Sequence, residues 1–202
     1  MILQKLESIK IQSRDWFIAR AHGVHAQALL AFVAFSESSF FPIPTVTFLI
    51  PILLVGAKRW LYYALFTTFF SVLGGIFGYF VGVFFFDTVG VSIVSFYGLT
   101  EEMMEVQSRF NNNAFLVIFV GAFTPLPYKV FVLSAGFLKI QFLSFILASV
   151  LGRGLQFFAV SFALHIFGER IARLLFRYFT IVAFVLAFII VVWIITLVLN
   201  VW

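Results

Sequence analysis

A chain of 202 residues is long enough for one or two soluble domains, but 63% hydrophobic residues, 10% charged residues and 31 phenylalanines leave too little polar material for a water-facing surface. The composition predicts an all-α, polytopic membrane protein. The formal charge of +5 does not point to nucleic acid, because the 13 Lys and Arg are scattered between apolar runs, and the lack of cysteine excludes disulfides, thiolate metal sites and cysteine nucleophiles.

In chain order, residues 1–27 come first. Lys5, Glu7, Lys10, Arg14, Asp15 and Arg20 interrupt any uniform apolar core of a cleaved signal peptide there. Ile2, Leu6, Ile9, Trp16 and Phe17 fall roughly on one helical face among these charges, the pattern of an amphipathic helix lying in the membrane interface. The next unit, 28–168, divides into an interrupted apolar stretch (28–56), a spanning helix (60–86), an acidic loop (87–113), a second interrupted stretch (114–137) and a second spanning helix (141–168). Residues 178–202 run for 25 positions without Gly, Pro or charge, more than the roughly 20 residues that cross a bilayer. They predict a plain C-terminal transmembrane helix.

The two interrupted stretches are cut near their centres by Pro42-Ile43-Pro44 and Pro125-Leu126-Pro127. Proline removes a backbone donor, clashes with the preceding turn and biases its predecessor away from helix, so two prolines one residue apart end a helix rather than kink it. The remaining pieces, about 10 to 14 residues each, reach ~15 to 20 Å, half of a bilayer. They form either re-entrant hairpins or discontinuous spans, and irregular backbone at depth survives only where protein or a wet cavity covers it. The distribution of Lys and Arg favours hairpins, which leave Lys58, Arg59 and Arg170 on the side of the basic N-terminal segment and only Arg109 and Lys139 opposite.

FPIPTVTFLIPILLVGAKRW and TPLPYKVFVLSAGFLKIQF share one plan: Pro-x-Pro, an apolar half-helix, a Gly, a basic interfacial residue and a long helix. The long helices carry Gly74, Gly78 and Gly82 in one case and Ser144, Ala148 and Gly152 in the other, at four-residue spacing. Small residues so spaced lie on one stripe and let another backbone approach closely. With one spanning helix between them, the two repeats have opposite topology, and inverted repeats with broken helices place a transport site where the breaks meet.

Three ionisable residues converge on these breaks: Glu37 just before the first, Lys129 just after the second, and Arg153 within the second spanning helix. Charges at bilayer depth face a cavity or a partner rather than lipid. They form a structural ion pair of Glu37 with Lys129 or Arg153, or a site in which the cations receive an anionic substrate while Glu37 takes up and releases a proton, or both in alternation. The last case predicts pH-dependent transport. Ser36, Ser38, Ser39, Thr45 and Thr124 flank the breaks and satisfy backbone groups freed by proline. The half-helices beginning near Thr45 and Tyr128 have the polarity of phosphate sites, with Tyr128 and Thr124 available as hydroxyls. His22, His25 and His165 form no metal constellation, His165 suits an interfacial or packing role, and no cofactor is expected.

With ESSFFPIP, GAFTPLPYKVFVLSAG, LGRG and GGIFGYFVG on the page, the chain resembles the DedA (SNARE-associated, or VTT domain) family of membrane proteins, specifically its YqaA-like branch, over about residues 28–168. The resemblance implies a flippase- or scramblase-like protein of the bacterial inner membrane, multi-pass with a cytoplasmic N-terminus. Its cargo would be an anionic lipid such as undecaprenyl phosphate or a phospholipid, with protons as coupling ion. It implies that Glu37 is the membrane-embedded acid of the first hairpin. Tyr128 stands where the family usually has arginine, with Lys129 beside it, and Arg153 follows the YqaA-like pattern. A proton-coupled small-ion or drug antiporter and a non-catalytic assembly factor remain as alternatives, and homo-oligomer formation stays open. No enzyme is expected, since G-x-S-x-G, H-E-x-x-H and paired aspartates are missing.

Overall fold

The computed structural model describes residues 24–39, 44–124, 126–168, 170–172 and 174. The interfacial helix expected over the N-terminal segment, Pro42, Pro125 and the C-terminal helix of residues 178–202 lie outside the described residues. Among those described, the fold is all-helical, with no strand.

Two half-length helices, α1 (Val24–Ser39) and α2 (Val46–Val55), precede a 3-10 turn at Ala57–Arg59 and the 26-residue α3 (Trp60–Phe85). A π-turn at Phe86–Gly90 leads through α4 (Val91–Phe96) to α5 (Thr100–Asn112). Then the plan recurs: α6 (Ala114–Phe123), α7 (Tyr128–Phe137) and the 26-residue α8 (Phe142–Phe167). Segment 87–113, read from sequence as a loop, is thus largely helical. Neither Gly nor Pro interrupts residues 99–113, and the polar, acid-rich stretch winds as a surface helix.

Among the described residues, α3 and α8 are the two elements long and apolar enough to cross a membrane, α3 as part of a continuous helical run from Ala57 to Phe96. They pack against each other in antiparallel fashion. Trp60 stacks on His165, Ser71 meets Arg153 and Tyr79 stacks on Phe145, so numbers rise along one helix as they fall along the other. The short helices fill the remaining faces. Phe35 lies at Gly74 and Ser39 at Gly78, so α1 runs parallel to α3 and ends beside its midpoint. Likewise Asn111 meets Gln141, Phe119 and Ala122 lie at Gly152 and Thr124 meets Gln156, so α6 runs parallel to α8 and ends beside that midpoint.

Each second arm runs back from the middle. α2 is capped by Thr45, in contact with Glu37, and the turn after it lies near His165, whose Nδ1 is 3.0 Å from the Ala57 carbonyl. α7 begins at Tyr128 beneath Arg153 and finishes at the opposite end, where the Tyr79 hydroxyl donates to the Ile140 carbonyl (2.7 Å) and Lys139 pairs with Asp87. The edges of the second break are non-helical. Thr124 is extended (ψ 162°), and Pro127, with ψ 92°, caps the start of α7.

Two apolar clusters result, one at each end. Leu30, Leu49, Ile50, Tyr63, Phe157 and Leu164 form one; Tyr79, Ile118, Val132, Ala135, Phe145 and Ala148 form the other. Between them, midway along α3 and α8, lies a layer of buried polar side chains: Ser38, Ser39, Ser71, Ser149, Arg153 and Gln156. Outward-facing Leu65, Phe69, Phe80, Phe84, Leu147 and Leu151 are exposed, an apolar girdle suited to lipid.

Candidate functional site

The polar layer is organised by Arg153, whose side chain is 2% exposed. A buried guanidinium must have its N–H groups matched, since an unpaired buried charge is heavily penalised. Nη2 donates to Glu37 Oε2 at 2.9 Å and to Ser38 Oγ at 3.3 Å, Nε donates to Ser71 Oγ at 2.8 Å, and Nη1 donates to Gln156 Oε1 at 2.9 Å. The guanidinium carbon also lies 4.7 Å from the Tyr128 ring centroid and 5.0 Å from that of Phe157, within cation–π range.

Glu37, 18% exposed, has a second set of partners at the start of α2. Its Oε2 accepts from the Thr45 hydroxyl and, at 3.3 Å, from the Thr45 backbone N–H. The carboxylate therefore sits at the positive end of a helix dipole as well as against a guanidinium. Ser38 Oγ shares a 2.7 Å hydrogen bond with Ser71 Oγ, closing the network across α1, α3 and α8. On the far side the Gln156 amide donates to the Thr124 carbonyl at 3.5 Å, which links Arg153 to the second break.

The residues singled out from sequence are placed as follows. Glu37 and Arg153 are in direct contact. Lys129 lies at the start of α7, partly buried, with no hydrogen bond or ion pair among the described residues, so the partner of Glu37 is Arg153. Tyr128 is buried and its hydroxyl donates to Ser149 Oγ at 2.6 Å, so in this conformation it offers Arg153 a ring rather than offering a phosphate a donor. The Thr124 hydroxyl donates to its own helix at Val120 (2.7 Å), and its carbonyl faces the site. Pro44 and Pro127 border the two breaks, and the Pro44 carbonyl accepts from the Thr47 amide and hydroxyl.

The glycine stripe lies where the short arms press closest. A Cβ on Gly74 would come within 2.1 Å of the Phe35 carbonyl oxygen, on Gly82 within 2.4 Å of that of Leu133, and on Gly78 within 2.8 Å of a Val132 methyl. On α8, a Cβ on Gly152 would come within 2.6 Å of Ala122 Cβ, and Ala148 is fully buried.

The sequence alone does not single out Ser71, Ser149 and Gln156. Their only signal in the sequence is a polar residue inside an otherwise apolar helix, and serine is common enough in such helices that the type alone does not mark a site. The sequence reading gives Ser38 and Thr45 to the backbone; their hydroxyls instead bond to the charged pair. Ser36 and Ser39 do serve backbone carbonyls, at Val33 and at Phe35 and Gly74.

The family model for the VTT domain matches residues 41–166, more than half of the chain. The chain belongs to the VTT domain (DedA) family. Two relatives carry no functional description. An uncharacterized protein of Haemophilus influenzae is 38% identical over 132 residues, 65% of this chain and 68% of the relative, and an uncharacterized HI0703 homolog of Histophilus somni is 30% identical over 132 residues, 65% and 69% of the two chains. No solved structure matches. Membership of the VTT domain family points to a membrane-associated protein with a transporter-like role, and the match covers most of the described fold, with Ser71, Ser149, Arg153 and Gln156 inside it and Glu37, Ser38 and Ser39 just before it.

Proposed function

We propose that this VTT domain protein is a carrier, not an enzyme, that moves an anionic, phosphate-bearing lipid headgroup across the bacterial inner membrane in exchange with protonation of Glu37. One observation carries the reading. The Glu37 carboxylate occupies a ready-made anion site, built from the Arg153 guanidinium and the hydroxyl and backbone N–H of Thr45 at the start of α2.

In the bilayer, α1 with α2 and α6 with α7 act as re-entrant hairpins whose tips meet at mid-depth, α3 and α8 span, and the end carrying Lys58 and Arg59 faces the cytoplasm. The directions of the arms and the midpoint position of both breaks support this topology. Protonation of Glu37 removes the internal anion. Arg153 and the start of α2 then face the phosphate, with Lys129 as a second cation at the start of α7. Deprotonation restores the internal pair, which competes with the phosphate and expels it. The lipid tails stay in the bilayer against the exposed apolar side chains of α3 and α8.

The test is a lipid-translocation assay in vesicles holding the purified protein, run in parallel with undecaprenyl phosphate and with an anionic phospholipid. Arg153→Lys keeps the charge but loses the forked geometry and is expected to slow translocation about tenfold or more. Lys129→Ala is expected to reduce the rate several-fold, and Glu37→Gln to abolish its response to an imposed pH gradient. Unchanged rates in all three variants would overturn the mechanism, and the arm that responds identifies the lipid.

A further inference from the structure

The interior between the Arg153 layer and the Lys58 end holds two hydroxyls that the site does not use. Thr67 Oγ1 on α3 and Ser161 Oγ on α8 are fully buried and have no hydrogen-bond partner among the described residues. Hydroxyls elsewhere in this fold's helices donate to the carbonyl four residues back: the partly buried Thr68 to Ala64 and Thr124 to Val120, each at 2.7 Å, and the buried Ser39 to Phe35 at 2.9 Å. Thr67 and Ser161 do not, although both sit in regular helix. Both lie on the stretch of α3 and α8 that carries Tyr63, Phe157, Val160 and Leu164 of the apolar cluster, and both are 0% exposed, so an unmet donor there is costly.

Their spacing is regular. Thr67 lies one turn from Ser71, about 6 Å along α3. The antiparallel register that sets Ser71 against Arg153 and Trp60 against His165 brings Ser161 opposite Tyr63, one turn further on. His165, bonded to the Ala57 carbonyl and exposed, ends the series at the bundle end. Steps of about 6 Å between hydroxyls are what one bridging water spans with two hydrogen bonds.

We propose that Thr67 and Ser161 hold a file of water molecules that joins the Glu37–Arg153 centre to the end of the bundle carrying Lys58 and Arg59, and that Glu37 exchanges its proton along this file. The inference rests on Glu37 being the proton acceptor. A proton entering at the His165 end is passed by successive oxygens, each accepting one proton and giving up another. It reaches Ser71 and the hydrogen-bonded Ser38, and ends on the neighbouring Glu37 carboxylate, so that one proton leaves bulk water and one carboxylic acid forms. Among the described residues, the charged and titratable groups facing Glu37 are Arg153 from α8 and Tyr128 from α7; Thr45, at the cap of α2, donates its hydroxyl to the carboxylate, and Ser71 of α3 reaches it through Ser38 and Arg153. The opposite half has no equivalent series. There the corresponding positions of α3 and α8 are Gly75, Tyr79, Ser149 and Phe145, and the two hydroxyls among them are already bonded, Tyr79 to the Ile140 carbonyl and Ser149 to Tyr128.

The test uses the full chain in lipid nanodiscs and follows the carbonyl stretch of the protonated Glu37 carboxylic acid by infrared difference spectroscopy after a rapid drop in pH. Glu37→Gln must remove the band. The isosteric pair Thr67→Val with Ser161→Ala is expected to slow its appearance about tenfold or more at unchanged final amplitude, since each relay step loses a hydrogen bond. Thr67→Ser, which keeps the hydroxyl, is expected to keep the wild-type rate. Equal rates in wild type and the double variant would overturn the water file while leaving Glu37 as proton acceptor. A band that is absent from wild type, or that survives Glu37→Gln, would overturn the acceptor role on which the file depends.

Discussion

Arg153 and Glu37 sit deep between two apolar clusters, and the pair separates structural from functional roles cleanly. Removing one member of a buried ion pair leaves the other uncompensated, at about 3–5 kcal/mol, whereas replacing both with apolar residues of similar volume is often close to neutral. Arg153→Met alone is therefore expected to lower stability by roughly that amount in thermal unfolding of the purified protein. Adding Glu37→Leu is expected to recover most of it while leaving translocation abolished. A double variant that transports at the wild-type rate would reduce the pair to a packing device. The bonds to Ser38, Ser71 and Gln156 hold the guanidinium in one orientation, so that opening the pair exposes a cation already aimed at the α2 start.

The helices depend on close approach at a few positions. Gly74 meets the α1 backbone so tightly that Gly74→Ala must shift one helix, with an expected loss of about 1–3 kcal/mol, read as a lower Tm. Gly154, whose nearest neighbour to a new Cβ is a Thr68 methyl at 3.7 Å, is the control. There alanine meets ordinary contact and relieves the helix of a flexible residue, so Gly154→Ala is expected to raise stability by roughly 0.5–1 kcal/mol. Opposite signs at two glycines of similar composition are the mark of arm-to-helix packing. These close approaches were legible as a four-residue stripe, because the helical repeat is local. The partner at each glycine was not, since Phe35 and Leu133 come from arms whose positions depend on the turns that precede them.

For the molecule as a whole, the directions of the arms make an accessibility prediction. α2 returns to the end where Ala57–Arg59 and His165 meet, and α7 runs to the end where Lys139 pairs with Asp87. Because the chain has no native cysteine, single cysteines at His25, Lys58, Glu101 and Lys139 report sidedness directly. Labelling with a membrane-impermeant thiol reagent is expected to reach 25 and 58 from one face and 101 and 139 from the other. Reaction of 25 and 58 from opposite faces would replace the first hairpin by a full span. The two halves share their order of elements but not their chemistry: the first contributes the carboxylate and the second the arginine, so among the described residues the two halves together build one buried ion pair.

The helical class, the helix breaks and the scarcity of buried charge followed from short-range physics. Proline blocks helix within a turn, and a carboxylate among phenylalanines demands a partner wherever the chain runs. The identity of that partner did not follow. Glu37 and Arg153 are 116 positions apart, and their meeting depends on the register of α3 against α8 and on the depth at which α1 stops. The same register turns the Tyr128 hydroxyl toward Ser149, brings Ser71 and Gln156 to the guanidinium and leaves Lys129 outside the pair. Long-range register is set by the sum of many weak apolar contacts, and no local pattern of residues encodes it.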